Sequence, residues 1–255
     1  MSLIGKVVIV TGASSGIGAT TAEAFAKQGS KVVLVGRNEP NLKAAESVCK
    51  AANSKAELLA IVADVTVDAE RIINSTIDRF GQLDVLVNNA GIFEVGNILD
   101  IDVEQFDRIF NTNLRAVFLL TKFAAPHLIK TQGNIVNVSS IAGLRSIRDV
   151  SSYCASKAAL DQFTRCIALD LAPKKVRVNS VNPGVIVTDI QRRRGLSPKE
   201  VDDFYLRSKE THPLGRAGEA KEVADAIIFL ASDSSSFITG ANLPIDGGIT
   251  AVCTI

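Results

Sequence analysis

The sequence predicts an α/β fold: one open, doubly wound (Rossmann-type) parallel sheet of about seven strands with helices on both faces. Three observations predict it. Short β-branched runs alternate with longer Ala-rich or amphipathic segments along the whole chain. The runs are apolar at consecutive positions rather than at every second one, as expected of strands buried on both faces. A glycine-rich turn joins the first run to the first helical segment. Helical crossovers make neighbouring strands parallel, and such sheets bind ligands at the carboxyl ends of the strands, beside the switch in strand order.

The elements follow in order. Lys6–Val10 is the first strand and Ile17–Gln28 the first helix, closed by Gly29. Lys31–Val35 is the second strand, Asn41–Ala52 the next helix and Glu57–Ala63 the third strand. Helix Ala69–Phe80, strand Asp84–Val87 and a helix over Val103–Ile129, slowed at Pro126, come next. Strand Asn134–Val138, a long helix Ser152–Leu171, strand Val176–Val181, helix Ala220–Ala231 and strand Asn242–Ile245 complete the set. No Pro/Gly/Ser-rich linker or composition break divides the chain, so residues 1–255 are expected to form a single domain.

Bulk properties narrow the function. A hydrophobic fraction of 47% is ample for a core. With 28 basic and 27 acidic residues the formal charge is +1, which argues against a nucleic-acid partner. Cys49, Cys154, Cys166 and Cys253 form no C-x-x-C pair, and are expected to be reduced and mostly buried. His127 and His212 lie far apart and outside any metal-ligand spacing, so no metal site is expected. Met1–Ile4 leads directly into a strand, and no apolar run has membrane-span length. A cytoplasmic protein with no membrane association is the expectation.

Thr11-Gly12-Ala13-Ser14-Ser15-Gly16-Ile17-Gly18 lies where the first strand meets the first helix. Glycines at 12, 16 and 18 allow a tight turn, close backbone approach to a pyrophosphate, and close helix–strand packing. Asp64 ends the third strand and Asn88-Asn89-Ala90-Gly91 the fourth, both on the edge where the glycine turn opens. A carboxylate at 64 can accept from an adenine amino group, and small residues at 89–91 let a cofactor lie against the backbone. Gly36-Arg37 follows the second strand, where an NAD site usually carries an acid for the ribose hydroxyls. Arg37 suits a 2′-phosphate instead. The expected cofactor is therefore NADP(H), with NAD(H) left open.

Tyr153 and Lys157 stand four apart near the start of the long helix and share one face. Ser139 and Ser140 end the preceding strand, and Asn113 lies in the helical region before it. A free tyrosine titrates near ~10, and bringing it to ~7 takes roughly 4 kcal/mol of phenolate stabilisation. A lysine ammonium and a positive nicotinamide ring can supply that. A serine hydroxyl can hold the substrate oxygen beside the phenol, and Asn113 a water or a backbone group that relays protons.

Taken together, the Thr11–Gly18 turn, Asp64, Asn88–Gly91, Asn113, Ser140, Tyr153 and Lys157 make the chain similar to the short-chain dehydrogenase/reductase family of the classical type. Asn182-Pro183-Gly184 with Thr188, and Asp246-Gly247-Gly248, complete a likeness that spans essentially the whole sequence. It extends to 3-oxoacyl-reductase-like and hydroxysteroid-dehydrogenase-like members. The resemblance implies a catalytic tetrad of Asn113, Ser140, Tyr153 and Lys157, with Ser140 chosen over Ser139 by its spacing to Tyr153. It implies that Gly12, Ser14, Ser15, Gly16, Ile17 and Gly18 hold the pyrophosphate end of the cofactor. Arg37, Asp64, Val65, Asn89, Ala90 and Gly91 then line its adenosine side, and Tyr153 and Lys157 meet the nicotinamide ribose. Pro183 and Gly184 cover the nicotinamide, and Val185, Ile186 and Thr188 reach its carboxamide. A homotetramer or homodimer, with the long helices in the interface, is also implied. One departure stands out: many NADP-dependent relatives carry a basic residue where this chain has Ser15, so the NADP(H) expectation rests on Arg37.

The stretch 190–212 is the least regular and most polar, and by the same resemblance is the substrate lid. Its Arg192-Arg193-Arg194 run is either a solvated face or an attractor for an anionic substrate or acyl carrier. Leu144, Val150, Leu196, Phe204 and Leu206 are candidates for an apolar pocket. The leading expectation is an NADPH-dependent reductase of a ketone or aldehyde on a hydrophobic 3-oxoacyl, steroid-like or terpenoid body. An NAD-dependent secondary-alcohol dehydrogenase and a non-catalytic cofactor-binding protein are the alternatives.

Overall fold

The computed structural model describes residues 3–193 and 195–252, with only the backbone of Arg193. Strand β1 (Val7–Thr11) leads through the glycine turn into α1 (Gly16–Lys27), followed by β2 (Lys31–Gly36), α2 (Glu39–Ala52) and β3 (Leu58–Val62). The chain then crosses through α3 (Ala69–Phe80) to β4 (Val85–Asn88). Helices α4 (Val103–Phe110) and α5 (Ala116–Thr131), β5 (Asn134–Val138), α6 (Ser151–Leu171) and β6 (Arg177–Pro183) form the other half. A two-residue strand β7 (Ile186–Val187) and short helices α7 (Ile190–Arg193), α8 (Pro198–Leu206) and α9 (Ser208–Thr211) precede β8 (Gly218–Glu219). Helix α10 (Ala220–Ala231) and strand β9 (Asn242–Ile245) end the fold.

The main sheet has seven strands in the order β3-β2-β1-β4-β5-β6-β9, all parallel. Alternate side chains of its strands serve two cores. Val8 and Val10, Val32 and Leu34, Val85 and Val87 point to the face covered by α1, α2 and α10, around Phe25, Leu42 and Ile227. Val7 and Ile9, Val33 and Val35, Leu86 and Ile135 point to the face covered by α3, α5 and α6, around Ile72, Leu120 and Ile167. Burial on both faces explains why these strands read as continuous apolar runs. Strand order reverses between β1 and β4, and the crevice at their carboxyl ends is where the fold leaves room for a ligand.

Three details depart from the sequence expectations. The expected single helix over 103–129 is interrupted by a π-helical turn at Asn111–Arg115, while α5 runs straight through Pro126. The 190–212 stretch is not irregular. Ser197 accepts from the Glu200 N–H while Glu200 accepts from the Ser197 N–H, a capping box with Pro198 at the first turn that starts α8. The thiols are not mostly buried: Cys49 is, but Cys154 is half-buried and Cys166 exposed, all three free, and Cys253 lies outside the described residues. Among the described residues no helix is long and apolar enough to cross a membrane.

Candidate active site

The turn after β1 is shaped by its missing side chains. Gly12 and Gly16 have φ of +66° and +54°, the left-handed region that glycine adopts freely. A Cβ on Gly12 would stand 2.8 Å from the Asn89 amide nitrogen and 3.0 Å from the Ala90 Cα. Thr11 ties this turn to the end of β4. Its hydroxyl donates to the Val87 carbonyl at 3.2 Å and accepts from the N–H groups of Asn89 (2.9 Å) and Ala90 (3.0 Å). The sequence marks Thr11 as the first residue of the glycine turn, but not these bonds, which join residues 76 to 79 positions apart.

A cleft of about 980 Å³ opens above this knot. Gly12, Ser14, Ser15, Gly16 and Ile17 line it together with Arg37, Asp64 and Val65, and with Asn89, Ala90 and Gly91. Ser140, Tyr153 and Lys157 line it from the other side, with Pro183, Gly184, Val185, Ile186 and Thr188 above. Of the catalytic and cofactor-binding residues expected from the sequence, Gly18 and Asn113 are outside the lining. The glycine cradle, the bare backbone at Gly91 and the volume of the cleft fit a dinucleotide.

At the adenosine end, the Asp64 carboxylate accepts from the Thr66 N–H (2.9 Å) and hydroxyl (2.7 Å). Arg37 is about two-thirds exposed, its side chain at 69%, and one guanidinium nitrogen lies 3.4 Å from Asp64 Oδ2. Burial pushes the Asp64 carboxyl up, but the bonds from Thr66 and the Arg37 charge outweigh it and hold it below the usual carboxylate range. Asn38 and Asn41 share this end of the cleft with Arg37, and no acidic residue stands at the end of β2.

At the other end, Ser140 caps a short 3₁₀ turn, its hydroxyl accepting from the Ala142 N–H at 3.1 Å. Ser139 turns away and donates to the Lys157 carbonyl at 3.3 Å. Tyr153 packs edge-on against Phe93, with ring centroids 4.7 Å apart. Lys157 is buried at 5% exposure, donates to the Val138 carbonyl at 2.9 Å and stands 5.7 Å from the Tyr153 ring centre. Burial pushes the Tyr153 phenol up to about 12; a hydrogen bond from Ser140 opposes this and the Cys154 charge adds to it. Burial pulls Lys157 down to about 8, opposed by the Asp161 charge. The protein's own groups therefore keep the tyrosine a protonated phenol, a proton donor.

Asn113 sits inside the π-helical turn, the one break in the expected helix. Such turns often occur at functional sites. Its amide clasps the backbone of a single residue: Oδ1 accepts from the Ile92 N–H at 2.9 Å and Nδ2 donates to the Ile92 carbonyl at 3.0 Å. Nδ2 also reaches Ser156 Oγ at 3.2 Å. The backbone group anticipated for Asn113 is thus Ile92, and a Cβ on neighbouring Gly91 would fall between Asn113 Oδ1 (3.2 Å) and Lys157 Nζ (3.6 Å).

The apolar lining differs from that expected. Of Leu144, Val150, Leu196, Phe204 and Leu206 only Phe204 faces the cleft. Leu144 and Leu206 are exposed, and Val150 is buried in a bridge to Gly96. Ile92, Phe93, Ile141, Ile147, Ile190 and Ile249 supply the apolar wall instead. They come from loops and element ends, where no periodicity marks them. Tyr205 from α8 donates to the Thr188 carbonyl at 2.9 Å and fastens the 190–212 stretch to the cleft rim. Of the arginine run, Arg192 lies 3.9 Å from Asp189, while the Arg193 side chain and Arg194 lie outside the described residues. Among the described residues no group of three or more His, Cys, Asp or Glu is placed to hold a metal ion.

Comparison with known proteins gives the family. Residues 12–250 match the family model described as enoyl-(acyl carrier protein) reductase. The chain is 40% identical over 250 residues to meso-2,3-butanediol dehydrogenase of Serratia marcescens, covering 96% of this chain and 95% of that protein. It is 36% identical over 250 residues to 3-oxoacyl-(acyl-carrier-protein) reductase of Thermotoga maritima, covering 98% and 99%. A Caenorhabditis elegans short-chain dehydrogenase/reductase of unknown function, solved with cofactor, superposes with a TM-score of 0.93 at 38% identity over 99% of this chain and 98% of that one. The chain belongs to the short-chain dehydrogenase/reductase family and is a nicotinamide-dependent oxidoreductase acting on carbonyl and alcohol groups.

Proposed function

We propose that the protein is an NADP(H)-dependent carbonyl reductase, with Tyr153 as its general acid, acting on a ketone or aldehyde with a hydrophobic body. One observation carries the reading: Tyr153, Ser140 and Lys157 share a single cleft with the glycine cradle, and that cleft keeps the phenol protonated. The nicotinamide supplies the hydride when bound. Ser140 holds the substrate oxygen, and Tyr153 delivers the proton to it. Lys157 stabilises the phenolate left behind and binds the nicotinamide ribose. Asn113 holds the Ile92 backbone as the outer member of the proton path. The isoleucine and phenylalanine wall supports an apolar substrate, and the likeness to the 3-oxoacyl reductase supports one carrying a keto group.

In this reading residues 1–255 are one domain, and the 190–212 stretch, hinged beside Thr188, is its substrate lid. Phe118 on α5 and Leu169 on α6 are exposed apolar residues, which supports a homotetramer or homodimer built on these helices. The likeness to the butanediol dehydrogenase favours the oxidative alternative. A panel of carbonyls and alcohols followed by nucleotide absorbance, run with each cofactor, separates the two.

NADP(H) preference rests on Arg37, with Asn38 and Asn41 in place of an acid. Charge-assisted hydrogen bonds to a phosphate are worth about 1.5–3 kcal/mol, so Arg37→Asp is expected to weaken NADPH binding by about tenfold to a hundredfold. NADH affinity should hold or improve, since the new carboxylate suits ribose hydroxyls. Equilibrium titration of both cofactors checks this, and an unchanged ratio removes Arg37 from cofactor choice.

A further inference from the structure

Helix α6 carries a third functional side chain on the Tyr153–Lys157 face. Successive steps of four place Tyr153, Lys157 and Asp161 one above another, about 6 Å apart along the axis. Asp161 is buried at 2% exposure, and burial raises its carboxyl while Ser139, Asn182, Ser180 and the Lys157 charge oppose the rise. It forms no ion pair with Lys157, whose ammonium is turned to the Val138 carbonyl. Its oxygens instead meet the Asn182 amide, which donates at 2.8 Å, and the Ser180 hydroxyl at 3.3 Å. The same Asn182 amide donates to the Ser140 carbonyl at 3.0 Å. Gly143, in the turn that Ser140 caps, packs directly onto the carboxylate, and a Cβ there would stand 2.9 Å from the Lys157 carbonyl.

We propose that Asp161 is a positioning residue of the active site: a buried counter-charge that keeps Lys157 cationic and, through Asn182, fixes the strand end that carries Ser140. The proposal rests on the reading of Tyr153 and Lys157 as the proton-handling pair. Its physical basis is that a buried charge is costly unless another compensates it. The titratable groups facing Lys157 and Asp161 are each other, Tyr153 and, next to it, Cys154. The remaining neighbours of the carboxylate are the hydroxyls of Ser139 and Ser180 and the amide of Asn182, which cannot neutralise it. Without Asp161 no charge offsets the desolvation of Lys157, only the Val138 carbonyl, and the lysine loses its proton at lower pH.

Asp161→Asn separates charge from shape, because the new amide oxygen still accepts from Asn182. Its thermal unfolding midpoint is measured first, to establish that the variant folds. Lysine side-chain NMR on the protein without added nucleotide then follows Lys157, identified by its absence in Lys157→Met. The Lys157 midpoint is expected to fall by about one pH unit or more, the usual effect of losing a nearby opposite charge. The high-pH limb of carbonyl reduction should move down by the same amount, with kcat reduced and KM little changed. A midpoint that stays at the wild-type value overturns the proposal. A midpoint that falls while the rate profile stays put supports the counter-charge and overturns instead the assignment of Lys157 to proton handling. Should Asp161→Asn fail to fold, carboxyl-carbon NMR of the wild type decides: an Asp161 that is protonated at neutral pH overturns the proposal, and an ionised one supports it.

Discussion

Tyr153→Phe is expected to lower kcat by a factor of about 10²–10⁴, the usual worth of a positioned general acid or base. The substitution removes one oxygen and little else. The ring remains to pack edge-on against Phe93 and to lie beside the Lys157 ammonium, so the cleft wall and the cofactor affinity should stay near wild type. The pH dependence gives a second check. Reduction needs the phenol, which burial protects up to about 12, so the acid itself stays protonated through the neutral range. Lys157 is the group that titrates first. Its pKa is depressed to about 8, so it is cationic below that value and neutral above it. Carbonyl reduction should accordingly be level on the acid side and decline as pH rises through about 8, where the nascent phenolate loses its cation. Alcohol oxidation needs the phenolate and should rise with pH. Initial rates in both directions test this, and a reduction rate that climbs through the same interval would falsify the assignment.

Much of this site was legible because its parts lie at element ends, where local chemistry marks them. Glycines at 12, 16 and 18, the Asn89–Gly91 strand end and the four-residue step from Tyr153 to Lys157 are patterns within one element. The strand and helix bounds of Ala69–Phe80, Asn134–Val138, Ala220–Ala231 and Asn242–Ile245 match the expectation residue for residue. In the two helices the buried residues recur at helical spacing, as Ala69, Ile72, Ile73 and Thr76 and as Val223, Ala224, Ile227, Leu230 and Ala231. What stayed hidden was assembled across distance. Strand β6 runs on to Pro183 because Asn182 and Pro183 pair with Pro244 and Ile245, some sixty residues later. The clasp of Asn113 on Ile92 and the bridge from Asp161 through Asn182 to Ser140 join residues about twenty to forty positions apart. No window over one element contains them. The α8 capping box was a different kind of miss. Ser197-Pro198-Lys199-Glu200 is a local signal, masked by the polarity of the surrounding stretch.

Gly18→Ala should damage both folding and cofactor binding, although the residue does not itself line the cleft. Its Cα faces the Gly12 carbonyl and the Asn89 side-chain amide so closely that a methyl group has no room. The obstacle is backbone on one side. On the other it is an amide already committed to the Thr11 carbonyl at 2.8 Å, so no flexible side-chain end can swing away. The first turn of α1 must move off β1, or the Thr11–Asn89 knot must open. Overpacking of this kind costs about 1–3 kcal/mol. In a chain of this length each kcal/mol lowers Tm by about 2–4 °C. In the proposed reading the displaced helix start also supplies the N–H groups that would bind the pyrophosphate, and an error of about 1 Å in such an array is enough to weaken binding by tenfold or more. Gly81→Ala is the matched control. That glycine closes α3 with φ of +77° and has nothing within 4 Å of an added Cβ. Its replacement should cost about 1–2 kcal/mol of backbone strain and leave cofactor affinity unchanged. Thermal unfolding and cofactor titration of the two variants therefore distinguish a clash at the cradle from the general cost of replacing glycine. Equal losses of affinity in both would show that the close packing of Gly18 on the β1–β4 knot is not what shapes the site.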